Sequence, residues 1–137
     1  MSNIIAGIGR GQMKVLDDYV AKRRSNYDYY RRQLNNIAPI NFVDEPQEYH
    51  SNRWLTCILL ESKTMRDDLL KILNDNNIEA RPSWKPMHLQ ALYKEAPAYL
   101  NGVSIELYEK GLCLPSGSNL EEKDLNRIIK LIMSYFE

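Results

Sequence analysis

Apolar residues recur at three- and four-residue steps from residue 3 to residue 36, with charged residues between them. This spacing predicts one long amphipathic helix over 3–36, and Ser2 or Asn3 can cap its start. A helix of that length extends about 50 Å. This is more than a compact domain of 137 residues needs. We therefore expect part of the helix to project toward protein that lies outside the chain.

The first turns of this helix contain three glycines, Gly7, Gly9 and Gly11. Each one costs a helix interior about 1 kcal/mol relative to alanine, so some other advantage must offset that cost. Gly7 and Gly11 lie one turn apart on the same face, which lets a second backbone approach closely. Neighbouring isoleucines add apolar surface. We expect a docking surface here, and not a dinucleotide-binding loop, because no strand precedes the glycines.

The rest of the pattern predicts three strands and three further helices. In chain order we expect a central strand at 52–61, a helix at 64–77, a strand at 78–82, one or two helical turns at 89–100, a helix at 104–110, a strand at 112–116 and a final helix at 120–136. The expected capping residues are Thr64 with Asp67, Ser104 with Gly111, and Ser118 with Glu121. The predicted fold class is α+β, with a small three-stranded sheet covered by helices and a long N-terminal helix, in a single domain over 1–137.

The 18 Lys and Arg residues balance the 18 Asp and Glu residues, so the net charge is zero. No overall field then attracts nucleic acid or an anionic membrane, and we expect neither as a partner. The apolar runs are far shorter than the roughly 20 residues that span a bilayer, and no leader pattern is present, so we expect a cytoplasmic location. Cys57 and Cys113 lie in apolar runs without zinc or redox spacing, and we expect two buried, reduced thiols.

The segment RPSWKPMHLQ (81–90) stands apart from the helical pattern around it. One interpretation is a proline-stiffened loop, with Trp84 against the core and the charged residues in solvent. The other is a binding lip, because the two prolines preset the backbone and little entropy is lost when a ligand binds. In that case Trp84 offers a face to a planar ring, while Arg81, Lys85 and His88 bind phosphate or carboxylate oxygens.

The sequence contains no recognisable catalytic motif. Neither His50 nor His88 has carboxylates or cysteines at ligand spacing, so we predict no metal site and expect His50 at the surface. The chain also lacks a Walker loop and a nucleophile elbow, and we assign it no catalytic residue. The basic clusters at 22–24 and 31–32 are interpreted as a solvated helix face, and the tyrosines at 27–30 as core and rim.

Three segments in order have the patterns of a known family: MSNIIAGIGRGQMKVLDDYVAKRRSNYDYYRRQL (1–34), IEARPSWKPMHLQALYKEAP (78–97) and EKGLCLPSGSNLEEKDLNRII (109–129). The family typically has an R-M-S-N helix start, an R-P-x-[WF]-K-P-x-H-x-Q loop and an L-P-S strand before its last helix. The chain resembles the C-terminal part of the DegT/DnrJ-type sugar-nucleotide aminotransferases, which are pyridoxal-phosphate enzymes of the aspartate-aminotransferase fold class. The resemblance extends over essentially the whole chain.

The resemblance implies that the chain is the C-terminal small domain, and that the large N-terminal domain, with the lysine that binds pyridoxal phosphate, lies outside it. The implied reaction transfers an amino group, usually from glutamate, to a nucleotide-linked keto-sugar, in an enzyme that is often a homodimer. We expect the chain alone to be inactive, with no bound pyridoxal phosphate. The implied substrate wall consists of Arg81 and Lys85 on phosphate or carboxylate oxygens, Trp84 on sugar or base, and His88 as a hydrogen-bonding group.

Two other classes of function are weighed against this one. The first is a stand-alone regulatory or interaction module that binds a small anionic ligand on a helix-covered sheet. The second is nucleic-acid binding through the basic, tyrosine-rich part of the first helix, which the zero net charge disfavours.

Overall fold

The computed structural model describes residues 2–37 and 39–137. Its elements, in chain order, are α1 (Asn3–Lys14), α2 (Leu16–Leu34), β1 (Asn41–Phe42), β2 (Thr56–Leu59), α3 (Lys63–Asp75), β3 (Arg81–Pro82), α4 (Val103–Lys110), β4 (Gly111–Leu114) and α5 (Glu122–Phe136). Two single-turn 3-10 helices, Met87–Leu89 and Ala91–Tyr93, lie between β3 and α4. The second lies within the region 89–100 where helical turns were predicted, and the first begins two residues before that region. The α+β class is confirmed.

The single helix predicted over 3–36 is wrong in one respect, because the chain leaves helical geometry at Val15. This residue has φ −114° and ψ 8°, and its N–H donates to the Gln12 carbonyl, three residues earlier. A β-branched side chain loses rotamer freedom in a helix, and the glycines upstream weaken the helix further. The segment is therefore two helices, and α2 starts its own ladder with a bond from the Tyr19 N–H to the Val15 carbonyl at 3.1 Å.

The sheet has four strands among the described residues, where three were predicted. Its order is β1-β2-β4-β3, and every neighbouring pair is antiparallel. The additional strand β1 pairs with the end of β2 and consists of two residues only. Two residues are too few to produce an alternating pattern, so the sequence did not indicate this strand. The central position predicted for β2 is confirmed, although β2 is shorter than the predicted 52–61.

The helices α2, α3 and α5 cover one face of the sheet and form the core with it. The fully or nearly fully buried members from the sheet and from α5 are Ile58, Leu60, Leu112, Leu114, Leu125, Ile128, Ile129 and Ile132. Because side chains alternate between the two faces of a strand, Cys57 and Cys113 point to the opposite face. Both thiols are free, as predicted, but only Cys113 is fully buried.

The predicted N-terminal caps are wrong for α3, α4 and α5, because each helix starts one or two residues away from the expected position. Ser62, and not Thr64, caps α3 by accepting a hydrogen bond from the Met65 N–H at 3.2 Å. At α5 a turn closed by the Leu120 N–H and the Gly117 carbonyl occupies the expected start, so Glu121 becomes the capping residue, in a capping box with Asp124.

For α4 the start lies one residue before the expected Ser104, and Gly111 directly follows its end as predicted. The residue before the helix is Gly102, with a positive φ of 85°. Glycine adopts this left-handed backbone at little cost, whereas other residues are strained there.

Candidate functional site

An open cleft of about 940 Å³ lies where β3, β4 and the start of α5 meet. Its wall comes from β3 and the residues on both sides of it, from the end of β4 and the turn that follows, and from Trp54 and Leu55. Its lining includes Trp54, Arg81, Trp84, Lys85, Cys113 and Arg127. The cleft is therefore an open surface feature beside β3 and β4 and not a cavity within the helical core.

Trp54 and Trp84 form an aromatic pair in the wall of the cleft. Their ring centroids are 5.9 Å apart, and their planes are inclined by 33°. Both side chains are exposed, at 60% for Trp54 and 64% for Trp84. The interpretation that placed Trp84 against the core is therefore wrong, because its ring lies against another exposed ring in a solvent-accessible cleft.

Strand β3 and the residue after it determine the position of Trp84. Arg81 pairs with Cys113 in the antiparallel register of β3 and β4. Ser83 continues the attachment, since its N–H donates to the Gly111 carbonyl at 3.1 Å and its hydroxyl donates to the Leu107 carbonyl at 2.8 Å. The chain is thus fixed to the sheet up to Ser83, and Trp84 is the first residue that extends beyond it.

Helix α2 holds two of the backbone segments that line the cleft. The Arg23 guanidinium donates to the carbonyl oxygens of Trp54 at 2.7 Å and of Ser116 at 3.2 Å. One side chain thereby joins the segment that carries Trp54 to the turn that follows β4. The Ser116 hydroxyl strengthens this junction by accepting the Thr56 N–H at 2.7 Å.

Three side chains of α2 bind three successive carbonyls of the turn after β4. Beside the bond from Arg23 to Ser116, Asn26 donates to the Gly117 carbonyl at 3.0 Å, and the Tyr30 hydroxyl donates to the Pro115 carbonyl at 3.0 Å. Arg23, Asn26 and Tyr30 are three and four positions apart, so they share one helix face. We name Arg23, Asn26 and Tyr30 the carbonyl clamp. Asn26 and Tyr30 are buried, and burial raises the pKa of the Tyr30 hydroxyl.

Three of the four predicted site residues, Arg81, Trp84 and Lys85, line the cleft together. The Arg81 guanidinium is exposed and forms an ion pair with Glu79, which is also exposed. Lys85 is exposed as well, and it forms no ion pair within residues 2–37 and 39–137. Cationic groups in solvent beside an aromatic pair are available to an anionic ligand.

The fourth predicted residue, His88, is not among the residues that line the cleft. It lies in the first 3-10 helix and is half-buried. Its Nε2 atom is enclosed and has no hydrogen-bond partner among the described residues. The structure therefore separates His88 from the other three, and leaves its Nε2 atom with an unused hydrogen-bonding capacity. His50 is exposed, as predicted.

The basic clusters at 22–24 and 31–32 are only in part the solvated face that the sequence indicated, because Lys22 and Arg32 are exposed but Arg24 is not. Arg24 forms a two-point ion pair with Glu45, with nitrogen–oxygen distances of 2.7 and 3.0 Å. The Ser51 N–H donates to the same carboxylate at 2.6 Å. The hydrogen bonds from Arg24 and then from Ser51 lower the pKa of Glu45 to about 2. These contacts attach the 43–53 segment to α2, upstream of Trp54.

The helix α1 has no buried residue. Ile4, Ile5, Ile8 and Met13 are all more than half exposed. Methyl groups built on its three glycines would meet nothing within 4 Å. The apolar face that the sequence predicted therefore exists, and the described part of the chain does not cover it.

Within the described residues no group of three or more histidine, cysteine, aspartate or glutamate side chains is placed to hold a metal ion. The same residues include no helix with both the length and the hydrophobicity that crossing a bilayer requires.

Sequence reasoning missed Trp54 and the carbonyl clamp. Trp54 precedes a strand and has no motif around it, so only its pairing with Trp84 identifies it. The clamp has a weak signal, because its members recur at helical spacing on α2. Their partners, however, are backbone carbonyls about 90 residues later, which no side-chain pattern reveals.

Comparison with known proteins gives consistent matches. The family model described as the DegT/DnrJ/EryC1/StrS aminotransferase family matches residues 1–133. EpsN of Bacillus subtilis (strain 168) is 39% identical over 140 residues, which cover 99% of this chain and 36% of EpsN. The GDP-perosamine synthase of Vibrio cholerae is 30% identical over 139 residues, which cover 99% of this chain and 38% of that protein.

A solved structure, a DegT DnrJ EryC1 StrS aminotransferase from Brucella abortus, matches with a TM-score of 0.78 at 28% identity. The match covers 92% of this chain and 33% of that one. The chain thus spans little more than a third of the length of the relatives that it matches.

Proposed function

Since the chain belongs to the DegT/DnrJ/EryC1/StrS aminotransferase family, whose members are pyridoxal-phosphate-dependent sugar aminotransferases, we propose that it is the substrate-site domain of such an enzyme. In a polypeptide of the relatives' length, it is the C-terminal small domain. A larger N-terminal domain supplies the cofactor and the lysine that binds it. The substrate is a nucleotide-linked keto-sugar, glutamate is the amino donor, and a second copy of the polypeptide completes a homodimer.

One observation carries this proposal: the tilted pair of Trp54 and Trp84 beside Arg81 and Lys85 in one open cleft. A nucleotide-linked sugar presents a planar base, an apolar sugar face and a negatively charged diphosphate. Exposed indole rings suit the first two features, and cationic side chains suit the third. The relative named as a GDP-perosamine synthase is consistent with a substrate of this class.

The ion pair of Arg81 with Glu79 is compatible with this role. Both side chains are more than 70% exposed, and an exposed ion pair contributes little stability. An incoming diphosphate therefore displaces Glu79 at small cost and gains a two-point contact with the guanidinium. Lys85 adds a second positive charge on the same wall, and Trp84 lies between the two cations in the sequence.

His88 remains a hydrogen-bonding candidate. Its enclosed and unpartnered Nε2 atom is costly unless a partner becomes available. In the proposed enzyme that partner is a substrate hydroxyl or a group of the N-terminal domain.

The described residues do not fit pyridoxal phosphate itself. A lysine that binds this cofactor is activated by burial in an apolar pocket or by an adjacent cation. Lys85 is the lysine among the residues that line the cleft, and it is exposed on a loop. When bound in the N-terminal domain, the cofactor supplies the electron sink for amino transfer. We assign no step of that chemistry to residues of this chain.

The exposed face of α1 is the contact with the N-terminal domain. It carries Ile4, Ile5, Ile8 and Met13 beside glycines that leave room for a close backbone. The relatives are almost three times as long as the part that this chain matches, so the proposed domain has ample length to cover this face.

The two tryptophans of the chain both line the cleft, so intrinsic fluorescence reports directly on its occupancy. We expect UDP or GDP to change the fluorescence saturably. Trp84→Ala should abolish the change, and Arg81→Ala and Lys85→Ala should each weaken binding about tenfold, with a smaller dependence on salt. Lys94→Ala is the control, because Lys94 is an exposed cation outside the cleft. Fluorescence that does not change on addition of UDP or GDP, or equal losses of affinity in Lys94→Ala and Lys85→Ala, would contradict the proposed site.

The domain assignment has a separate test. The chain alone is mixed with pyridoxal phosphate and treated with borohydride, which fixes any imine to lysine. We expect only weak, substoichiometric labelling. One equivalent trapped on a single lysine would place the cofactor lysine in this chain and would overturn the division into two domains.

A further inference from the structure

Cys57 and Cys113 lie directly opposite each other on the two central strands, β2 and β4. The Leu60 N–H donates to the Lys110 carbonyl at 3.0 Å, which makes Leu60 and Lys110 a hydrogen-bonded pair. Hydrogen-bonded and non-hydrogen-bonded pairs alternate along an antiparallel ladder. Cys57 lies three residues before Leu60, so Cys57 and Cys113 are a non-hydrogen-bonded pair. In pairs of this type the side chains are closest.

The two sulfur atoms are already in contact. Their Sγ–Sγ distance is 3.5 Å, which corresponds to a hydrogen bond from one thiol to the other. Cα atoms of a non-hydrogen-bonded pair are about 4.5 Å apart, within the range of about 4.4–6.8 Å that a disulfide spans. Shortening the sulfur–sulfur distance to about 2.0 Å therefore needs side-chain rotation, without movement of the sheet.

The pair is also reachable and chemically unequal. Cys57 is partly exposed, whereas Cys113 is buried within the sheet but contributes to the wall of the cleft. The hydrogen bond from Cys113 lowers the pKa of Cys57 to about 7. The same bond, together with burial, raises the pKa of Cys113. A thiolate is the nucleophile in thiol–disulfide exchange, so Cys57 is the attacking residue and Cys113 the resolving one.

We propose that Cys57 and Cys113 form a reversible dithiol site, which low-molecular-weight disulfides such as glutathione disulfide convert to an intramolecular disulfide. The Cys57 thiolate attacks one sulfur of glutathione disulfide, forming a mixed disulfide and releasing one glutathione thiolate. Cys113 then loses its proton to that thiolate and attacks the Cys57 sulfur, which releases the second glutathione. Two protein thiols lose two electrons, and glutathione disulfide becomes two glutathione thiols.

The bond would constrain both the fold and the cleft. It closes a loop from residue 57 to residue 113, which contains α3, β3 and the 81–90 loop. Such a cross-link reduces the freedom of the unfolded chain, so the oxidised form should melt several degrees higher than the reduced form. It also removes the free thiol of Cys113 from the wall of the cleft, directly opposite Arg81 on β3.

The test starts from the fully reduced chain, freed of reductant and incubated with glutathione disulfide. Remaining thiols are alkylated with N-ethylmaleimide, and the intact mass and the non-reduced peptide map are recorded. We expect a monomer that has lost two hydrogen atoms, carries no alkyl group and yields one peptide pair joining Cys57 to Cys113. The melting temperature should rise, and a phosphine reductant should reverse both changes.

Single variants test the order of the steps. Cys113→Ser lacks the resolving thiol and should accumulate a stable glutathione adduct on Cys57. Cys57→Ser leaves only the buried thiol, and its reaction with glutathione disulfide should be at least about tenfold slower. Circular dichroism confirms that each variant is folded, and the intact-mass result on the unaltered chain remains decisive if one is not. Two alkylated thiols after oxidation, separate glutathione adducts on both, or a disulfide formed only between chains would overturn the proposal.

Discussion

Ser83 lies against Gly111, and the contact leaves no room for a side chain on the glycine. A methyl group on Gly111 would lie 2.5 Å from the Ser83 Oγ atom and 2.9 Å from its Cβ, and would overlap the Leu107 carbonyl. This close approach lets Ser83 bind both the Gly111 and the Leu107 backbone. The start of the 81–90 loop is therefore held to the end of α4 and the start of β4.

Gly111→Ala should destabilise the chain by about 1–3 kcal/mol, because overpacking a tight contact forces the backbone apart. It should also change the fluorescence of Trp84, which follows Ser83 directly. Gly9→Ala is the matched control, since a methyl group there meets nothing within 4 Å. It should stabilise the isolated chain by about 0.5–1 kcal/mol, as alanine favours a helix. Urea unfolding measures both, and equal effects of the two changes would refute the contact.

The carbonyl clamp makes a second prediction about stability. Tyr30→Phe removes the buried hydroxyl that donates to the carbonyl of the half-buried Pro115 and leaves that acceptor without its partner. The expected cost is about 1–2 kcal/mol. Tyr29→Phe, one residue away, removes a hydroxyl whose hydrogen bonds are exposed, and should change stability by less than about 0.5 kcal/mol. If the two variants unfold at the same urea concentration, the clamp does not stabilise the turn after β4.

Periodic segments were predictable from the sequence, and contacts between distant segments were not. The apolar spacing gave α3, α5 and the central position of β2, because burial on one face imposes a regular pattern. The break at Val15 and the strand β1 were missed, since each depends on one or two backbone bonds and not on a repeated pattern.

The same distinction applies to the site. The 81–90 loop was recognisable because prolines, an indole and cations cluster within ten residues. Trp54 enters the site only through the folded arrangement, in which the Arg23 side chain binds its carbonyl. The basic cluster at 22–24 was assigned to solvent because its carboxylate partner, Glu45, lies more than twenty residues later.

The Glu45 carboxylate gives a prediction for acid unfolding. Its pKa falls from an ordinary value of 4.5 to about 2 in the folded chain. A lowered folded-state pKa contributes stability above the unfolded pKa, and this contribution is lost as the pH falls from about 4.5 to about 2. Glu45→Gln should therefore lower the melting temperature at neutral pH, and the difference from the unaltered chain should shrink across that window.

The control for the acid experiment is Glu48→Gln, whose carboxylate forms no ion pair in the described ranges. Its melting temperature should follow that of the unaltered chain from neutral pH to about pH 2. A Glu45→Gln deficit that stays constant over the whole range would indicate lost packing, and would contradict the electrostatic account.

Because the face of α1 is exposed, we expect an isoleucine-to-alanine change in α1 to alter stability much less than the same change in the core. Ile132 in α5 is fully buried, so Ile132→Ala should cost about 2–5 kcal/mol through lost burial and a cavity. Ile8 is 61% exposed, and Ile8→Ala should change the stability of the isolated chain by less than about 0.5 kcal/mol. In a polypeptide of the relatives' length, the proposed N-terminal domain covers Ile8, and Ile8→Ala should then lower stability measurably. If Ile8→Ala remains neutral there as well, α1 does not contact that domain, since burial of its apolar face is what the contact requires.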